Sequence, residues 1–336
     1  MRAKIGAHAI GFVAALAACS DGEPIESSAV SVPGTSVVAT REDPIEPVPL
    51  EQHLDPAKVS LGARLFEDPI LSPNGDLACT TCHQLDAGGA DGRVKSDLAG
   101  HEPAAVNTPT IFNVALNYRL HWNGKYEDLD TQLEAPITSP RVFNTTFASV
   151  VDRLSASPSY RDAFGRVYPA GITEGTFRDA MVTYERSLTT PNARLDRYLR
   201  GDKEVLSTDE RQGYELFKSH GCISCHQGIN VGGNLFQRFG TMRDYFQDRG
   251  EVKEADNGRY NVTKRDEDRF VFRVPSLRNV ALTAPYFHDG SAKTLEDAVR
   301  TMSRYQLGRN LTEEETRLIV AFLRTLTGEY AGEALE

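Results

Sequence analysis

Cys79-Thr80-Thr81-Cys82-His83 is the stretch on which the reading of this chain turns, and it recurs in kind as Cys222-Ile223-Ser224-Cys225-His226. C-x-x-C-H is the attachment signature of a c-type haem. Two cysteines three positions apart can bond the two vinyl-derived carbons of one porphyrin. The histidine that follows supplies an axial nitrogen to the iron. The same residue types also serve zinc half-sites and thioredoxin-like redox pairs. Zinc needs two further sulfur or histidine ligands close by, and a redox pair usually sits in a βαβ context. Neither is evident here. Two motifs that take four of the five cysteines therefore read as two covalently bound haem c groups.

The chain has 336 residues, enough for about two domains. Its net charge of −10 argues against nucleic acid as a partner and suits a protein with a basic face, as many small electron carriers have. The fifth cysteine, Cys19, closes the sequence Leu16-Ala17-Ala18-Cys19. Before it come Arg2 and Lys4, then a mostly apolar run from Ile5 to Ala18. That run has the length of a signal-peptide core and is short for a membrane span. It resembles a bacterial lipobox, with cleavage before Cys19 and lipidation of its thiol. A plain secretory signal with a chance cysteine is the other reading. Both export the mature protein to the periplasm, outside the bacterial cytoplasm, where c-type haem is attached. In the first, its contact with the membrane is through the lipid anchor.

Outward from the two motifs, the chain divides into a signal peptide over 1–19, a flexible tether over 20–49, a first haem domain over 50–205 and a second over 206–336. The tether is rich in Pro, Ser, Val and acid and has no helical or strand period. Asp55-Pro56 opens a short helix, and order is expected from about Leu54. Residues 147–164 and 174–190 read as amphipathic helices. In the second of these, Phe177, Ala180, Met181, Tyr184 and Leu188 share one face. Capping boxes at Ser207–Glu210 and Thr312–Glu315 start further helices, and Thr294 caps another. The expected fold is mainly α: two cytochrome-c-like haem domains packed against each other, with long irregular loops.

These residues together resemble the bacterial di-haem cytochrome c peroxidases, in the superfamily that includes the tryptophan-modifying enzyme MauG. The resemblance covers about residues 54–327. It rests on Leu61-Gly62-Ala63-Arg64-Leu65-Phe66, both haem motifs, Asn107–Asn113, Trp122-Asn123-Gly124, Phe272–Gly290, Asp297–Met302 and Gln306-Leu307-Gly308. It implies that His83 is the proximal ligand of a low-potential, peroxidatic haem. His101, in Gly100-His101, would be that haem's distal ligand and would leave on activation. His226 and Met302 would ligate a high-potential haem that receives electrons; thioether ligation raises a haem's potential. Trp122 would relay electrons between the haems, with Gln132 on the distal side of the first. Asn107, with the backbone carbonyls of Thr283 and Pro285, would hold an interdomain calcium, an ion suited to such oxygen ligands. On the residues alone, Met302 reads as core, Trp122 as a packed aromatic and Asn107 as a turn residue.

There is one departure. The family's peroxidases carry a distal glutamate ten residues beyond the position of Gln132, and that position is Val142. Valine cannot carry a proton, and splitting the O–O bond needs a group that takes one from one oxygen and gives it to the other. Glu134 is the nearest acid in sequence. His121, beside Trp122, is the other candidate, since a histidine near its reference pKa of about 6.5 can do this work. Three functions follow. The first is peroxide reduction with electrons from a small cytochrome c or copper protein (a cupredoxin). The second is a MauG-like oxidase acting on a partner protein. The third is a non-enzymatic di-haem electron-transfer or sensing lipoprotein. Met302 and Gly100-His101 count against the second, because MauG-like proteins tend to have Tyr for the Met ligand and to lack a distal His. Val142 favours the third. A homodimer is within the family's habits.

Overall fold

The computed structural model describes residues 43–96 and 103–336. Cys19, residues 20–42 of the tether and the Gly100-His101 loop lie outside the described residues. The helices in chain order are α1 (Pro56–Glu67), α2 (Leu129–Gln132), α3 (Glu134–Thr138), α4 (Phe147–Ala156), α5 (Pro158–Val167), α6 (Glu174–Ser187), α7 (Arg194–Leu199), α8 (Thr208–Ser219), α9 (Tyr245–Arg249), α10 (Tyr260–Thr263), α11 (Leu295–Gln306) and α12 (Glu313–Arg324). Strand structure is limited to two small antiparallel pairs, β1 (Phe236–Arg238) with β2 (Val271–Arg273), and β3 (Glu329–Tyr330) with β4 (Glu333–Ala334). The mainly helical, two-lobed architecture matches the sequence expectation.

Local chemistry sets the helix ends. The Asp55 carboxylate accepts from the Ala57 N–H at 2.8 Å, and Pro56 occupies the first helical position, where its missing N–H costs nothing. The Ser207 hydroxyl accepts from the Glu210 N–H at 3.3 Å, while the Glu210 carboxylate accepts from the Ser207 N–H at 2.9 Å. Thr312 and Glu315 repeat this reciprocal cap on α12. The single helix expected over 147–164 is two, because Ser157-Pro158 interrupts it: Pro158 has no N–H and starts α5 instead.

The two lobes are copies of one design. In the first, α1 crosses α6 at Gly62, where an added Cβ would overlap the Ala180 carbonyl and the Tyr184 Cβ. In the second, α8 crosses α12 at Gly213, where it would overlap the Leu318 carbonyl and press on the Phe322 Cβ. Ala180 and Tyr184 thus correspond to Leu318 and Phe322. A second run also repeats. Asn113 and Asn279 both have φ 58° and both lead into a Val-Ala-Leu turn. His121 (φ 67°) corresponds to Phe287 (φ 71°), and Gly124 (φ 63°) to Gly290 (φ 65°). The isolated bridges Leu120–Tyr126 and Tyr286–Ala292 complete the match.

Each lobe has its own apolar core. The first gathers Leu61, Leu65, Phe66, Phe112, Phe177, Met181 and Tyr184; the second gathers Tyr214, Phe217, Leu295, Ile319, Phe322 and Leu326. The described termini cross over. The tether expected to run to residue 49 is packed from its last residues onward: Ile45 and Val48 are buried, Ile45 in the second core. Pro44 O accepts from the Gly228 N–H at 2.7 Å, and Glu46 O accepts from Arg278 Nη2 at 2.9 Å. These residues form regular contacts because their carbonyls find donors on the second lobe. Conversely, Tyr330 and Leu335 pack on the first core, with the Tyr330 ring 5.0 Å from that of Phe112. Leu195 and Leu206 also belong to the second core, so packing changes lobes before residue 205.

A buried polar hinge joins the lobes. Thr190 Oγ1 accepts from Asn113 Nδ2 at 2.7 Å and from Asn279 Nδ2 at 3.0 Å, and the Asn279 Oδ1 accepts from the Gly328 N–H at 3.1 Å. All three side chains are excluded from water, so each polar group needs its partner.

Candidate haem sites and the ground between them

Both C-x-x-C-H motifs fold into the same short 3-10 turn, over Cys79–Thr81 and Cys222–Ser224. In each, the histidine N–H reaches back to the first cysteine's carbonyl at 3.0 Å. This sets both thiols and the imidazole on one side of the backbone. Burial pushes the Cys79 and Cys82 thiols above their usual range and Cys222 up to about 11. No disulfide joins the two cysteines of either pair, so all four thiols are free for attachment. The His83 Nδ1 faces Gly89 O at 3.2 Å and the His226 Nδ1 faces Val231 O at 3.3 Å. A carbonyl can only accept, so each Nδ1 carries the proton and each Nε2 is left as a lone pair for a metal. Burial pushes His83 below its usual range and His226 down to about 4, so both imidazoles are neutral at pH 7.

In the second lobe these residues open on a cavity of about 250 Å³ with a largely apolar wall. Cys222, Cys225 and His226 lie on its lining, and so do Met302 on α11 and Leu323 on α12. Met302 thus shares one cavity wall with His226, and it packs with Phe239, Tyr245, Phe272 and Phe287. Arg273 also lines this cavity. Its guanidinium donates to His121 O, Asn117 Oδ1 and Val274 O, and has no carboxylate partner among the described residues. Burial lowers its pKa to about 10. A buried cation without a counter-ion suits an acidic substituent of the kind a haem carries. The residues present fit a haem on these grounds.

In the first lobe, His121 holds the position that Phe287 holds in the second. Gln132 Nε2 lies 3.4 Å from His121 Nε2, and the Tyr126 ring meets the imidazole edge-on at 4.7 Å. The sequence reading set His121 near its reference pKa; burial, then the charges of Lys125, Arg273 and His83, push it down to about 4. It is a neutral hydrogen-bonding group at pH 7. Val142 packs against the first core, and Glu134 is exposed at the start of α3. The structure thus brings Gln132 and His121 together and leaves the nearest acid in water.

Trp122 lies between the lobes on the wall of the second cavity. Its indole N–H donates to Asn107 O at 2.9 Å, and its ring stands edge-on to His288 at 6.4 Å. The Asn107 N–H donates to His288 O at 2.8 Å, closing the loop. His288 Nε2 meets Asp256 Oδ1 at 2.7 Å, and Arg249 bonds to Asp256 and to Asp289. Burial opposes ionisation of Asp256, but its bonds from Arg249, the Lys253 N–H and His288 prevail, and its carboxyl lies below the usual range. Asp256, His288 and Asp289 have the spacing of a metal cluster, but both carboxylates already pair with the Arg249 guanidinium. Asn107, Thr283 and Pro285 line the same region. The Asn107 amide donates to Arg93 O at 2.8 Å. The Thr283 and Pro285 carbonyls accept no backbone hydrogen bond among the described residues, so their oxygens are available to a cation.

A family model described as di-haem cytochrome c peroxidase matches residues 56–204, and one described as cytochrome c matches 211–327. The chain is 40% identical over 293 residues to the cytochrome c551 peroxidase of Nitrosomonas europaea, covering 87% of this chain and 86% of that one. It belongs to the di-haem cytochrome c peroxidase family. Cytochrome c peroxidase Ccp of Escherichia coli (strain K12) is also 40% identical, over 291 residues, 86% of this chain and 62% of that protein. The chain thus spans less than two thirds of that relative's length. Among solved structures, a MauG-like protein associated with microbial copper homeostasis superposes with a TM-score of 0.73 at 28% identity, covering 86% of this chain and 94% of that one. As a member of the di-haem cytochrome c peroxidase family, the protein carries covalently bound haem c. Reading the sequence alone missed Arg273 and Glu185. Arg273 sits in an apolar stretch and Glu185 on an amphipathic helix, and only their burial marks them.

Proposed function

We propose that this protein reduces hydrogen peroxide to water, drawing two electrons and two protons per peroxide. The electrons come from a small periplasmic cytochrome c or cupredoxin. The observation that carries this reading is the inequality of two otherwise matching lobes. Met302 stands in the second cavity with a wall of aromatic rings, which suits electron transfer. The first lobe places polar His121 and Gln132 at the corresponding positions. Each haem, when bound, would supply an iron able to change oxidation state and to take part in peroxide reduction. Everything else falls to the chain. His83 and His226 would hold the irons through Nε2. Met302 would be a further ligand of the second haem, and His101 a ligand of the first that is released on activation. His121, neutral and beside Gln132, accepts a proton from one peroxide oxygen and returns it to the other. Trp122 lies on the path between lobes. Asn107 and the carbonyls of Thr283 and Pro285 hold calcium there, and chelation should lower turnover by loosening the Trp122–Asn107–His288 contacts. A lipid on Cys19 ties the exported protein to a membrane.

The test is peroxide turnover by protein loaded with haem and calcium and reduced by one electron, followed through oxidation of a reduced cytochrome c. His121→Ala should lower kcat by about 10²–10⁴, the range for a lost acid–base group. In the parent the rate should fall as pH drops through about 4, where His121 gains a proton and can no longer accept one. Val142 favours one other reading, an electron carrier in which both irons keep two protein ligands. No turnover, with both irons still six-coordinate in the half-reduced protein, would leave that reading.

A further inference from the structure

The lobe-to-lobe register has a consequence at α6. Since Ala180 and Tyr184 correspond to Leu318 and Phe322, Met181 corresponds to Ile319 and Glu185 to Leu323. Ile319 and Leu323 both line the second haem cavity. Glu185 therefore occupies in the first lobe the register position that Leu323 holds on the wall of the second haem cavity. It is 5% exposed, and its Oε2 has no hydrogen-bond partner. Its charge acts on the thiol of Cys79, the first attachment residue.

The groups on the elements around it do not explain its presence. Lys58 on α1 is paired with Asp179, and Asp130 on α2 lies by Arg178. Arg153 on α4 donates to the carbonyls of Ile70 and Leu71. Glu67 and Tyr330 act on Tyr184, and Arg186 acts on Asp128 and Asp179. Burial alone pushes the Glu185 carboxyl up to about 8. An acid in this state is neutral at pH 7 and close to losing its proton. A unit of positive charge added nearby, in a medium of low dielectric, favours that loss.

We propose that Glu185 is the redox-linked proton site of the first haem: it holds a proton while that iron is reduced and releases it when the iron is oxidised. One electron leaves the iron and one proton leaves the carboxyl for solvent, so the charge inside the cavity is unchanged. The second haem cavity has Leu323 in the equivalent place and, among the described residues, no carboxylic acid on its wall. The inference rests on haem attachment at Cys79 and Cys82 and not on peroxide turnover. Haem content per chain and turnover, measured separately, distinguish its failure from the failure of the peroxidase reading.

The experiment is a spectroscopic redox titration of the full-length di-haem protein at a series of pH values, with each haem followed by its own absorption. In the parent, the reduced-to-oxidised ratio of the first haem at fixed potential should fall by up to tenfold per pH unit as pH rises toward about 8, then level off. The second haem should show no such fall. Glu185→Gln and Glu185→Leu should flatten the first haem's dependence and leave the second haem unchanged. A dependence retained in Glu185→Gln, or absent from the parent, would overturn the assignment. If neither variant takes up haem, infrared difference spectra of the parent decide. A protonated-carboxyl band present when the first haem is reduced and lost on oxidation supports the proposal; its absence overturns it.

Discussion

Replacing Arg278 by methionine should destabilise the haem-loaded protein by about 3–5 kcal/mol, the range for breaking a buried ion pair from one side. Arg278 and Asp196 have fully buried side chains and meet at 2.6 Å. The remaining guanidinium nitrogens donate to Ile229 O at 2.9 Å and Glu46 O at 2.9 Å. Removing the cation strands the Asp196 carboxylate away from water and frees both carbonyls. Denaturant unfolding of the Arg278→Met variant against the parent measures the loss. An Asp196→Leu/Arg278→Met double variant should recover part of it, since no buried charge then lacks a partner. Recovery should stop short of the parent, because the two carbonyls remain unserved. A single variant within about 1 kcal/mol of the parent would show that water or a neighbour reaches Asp196.

Gly213→Val should be nearly as damaging, and for a steric reason. The helix crossing leaves no space there: the obstructing atoms are the backbone carbonyl of Leu318 and the Cβ of Phe322, neither of which can rotate away. Overpacking in a core costs about 1–3 kcal/mol when side chains can shift; against backbone the cost lies at or above the top of that range. Because α8 leads into the Cys222 turn and α12 carries Ile319 and Leu323, spreading the pair opens the second haem cavity. The expected result is reduced haem incorporation at Cys222 and Cys225 with the first haem retained, read from haem content and the loss of the second haem's absorption. Normal occupancy at both sites would refute the argument. Gly62→Val is its mirror experiment in the first lobe.

What could be read in advance had a local signature. The haem turns, the Ser207 and Thr312 caps and the apolar faces of α6 and α12 are set by residues within a few positions of one another, and the structure has them as expected. The rest depends on neighbours distant in sequence. Residues 43–48 look like the tail of a tether because their composition is that of one. Their order comes from Gly228, Arg200 and Arg278, more than 150 positions away. His121 looks like a loop histidine of ordinary basicity, and only its burial beside Arg273 and Lys125 makes it a weak base. Glu185 looks like one more charge on an amphipathic helix. The break at Ser157-Pro158 was within reach, since proline seldom continues a helix.

The exchange of ends between the lobes bears on how the protein matures. A chain made from its amino end presents the Ile45 segment before the second lobe, yet that lobe is where the segment's seat lies. The Tyr330 hairpin, last to emerge, is what finishes the half that appeared first. Each half thus carries a piece of the other's core, and swapping one for its counterpart from a relative would tear both clasps. The ends of the folded body can be fastened only once the whole chain has been made.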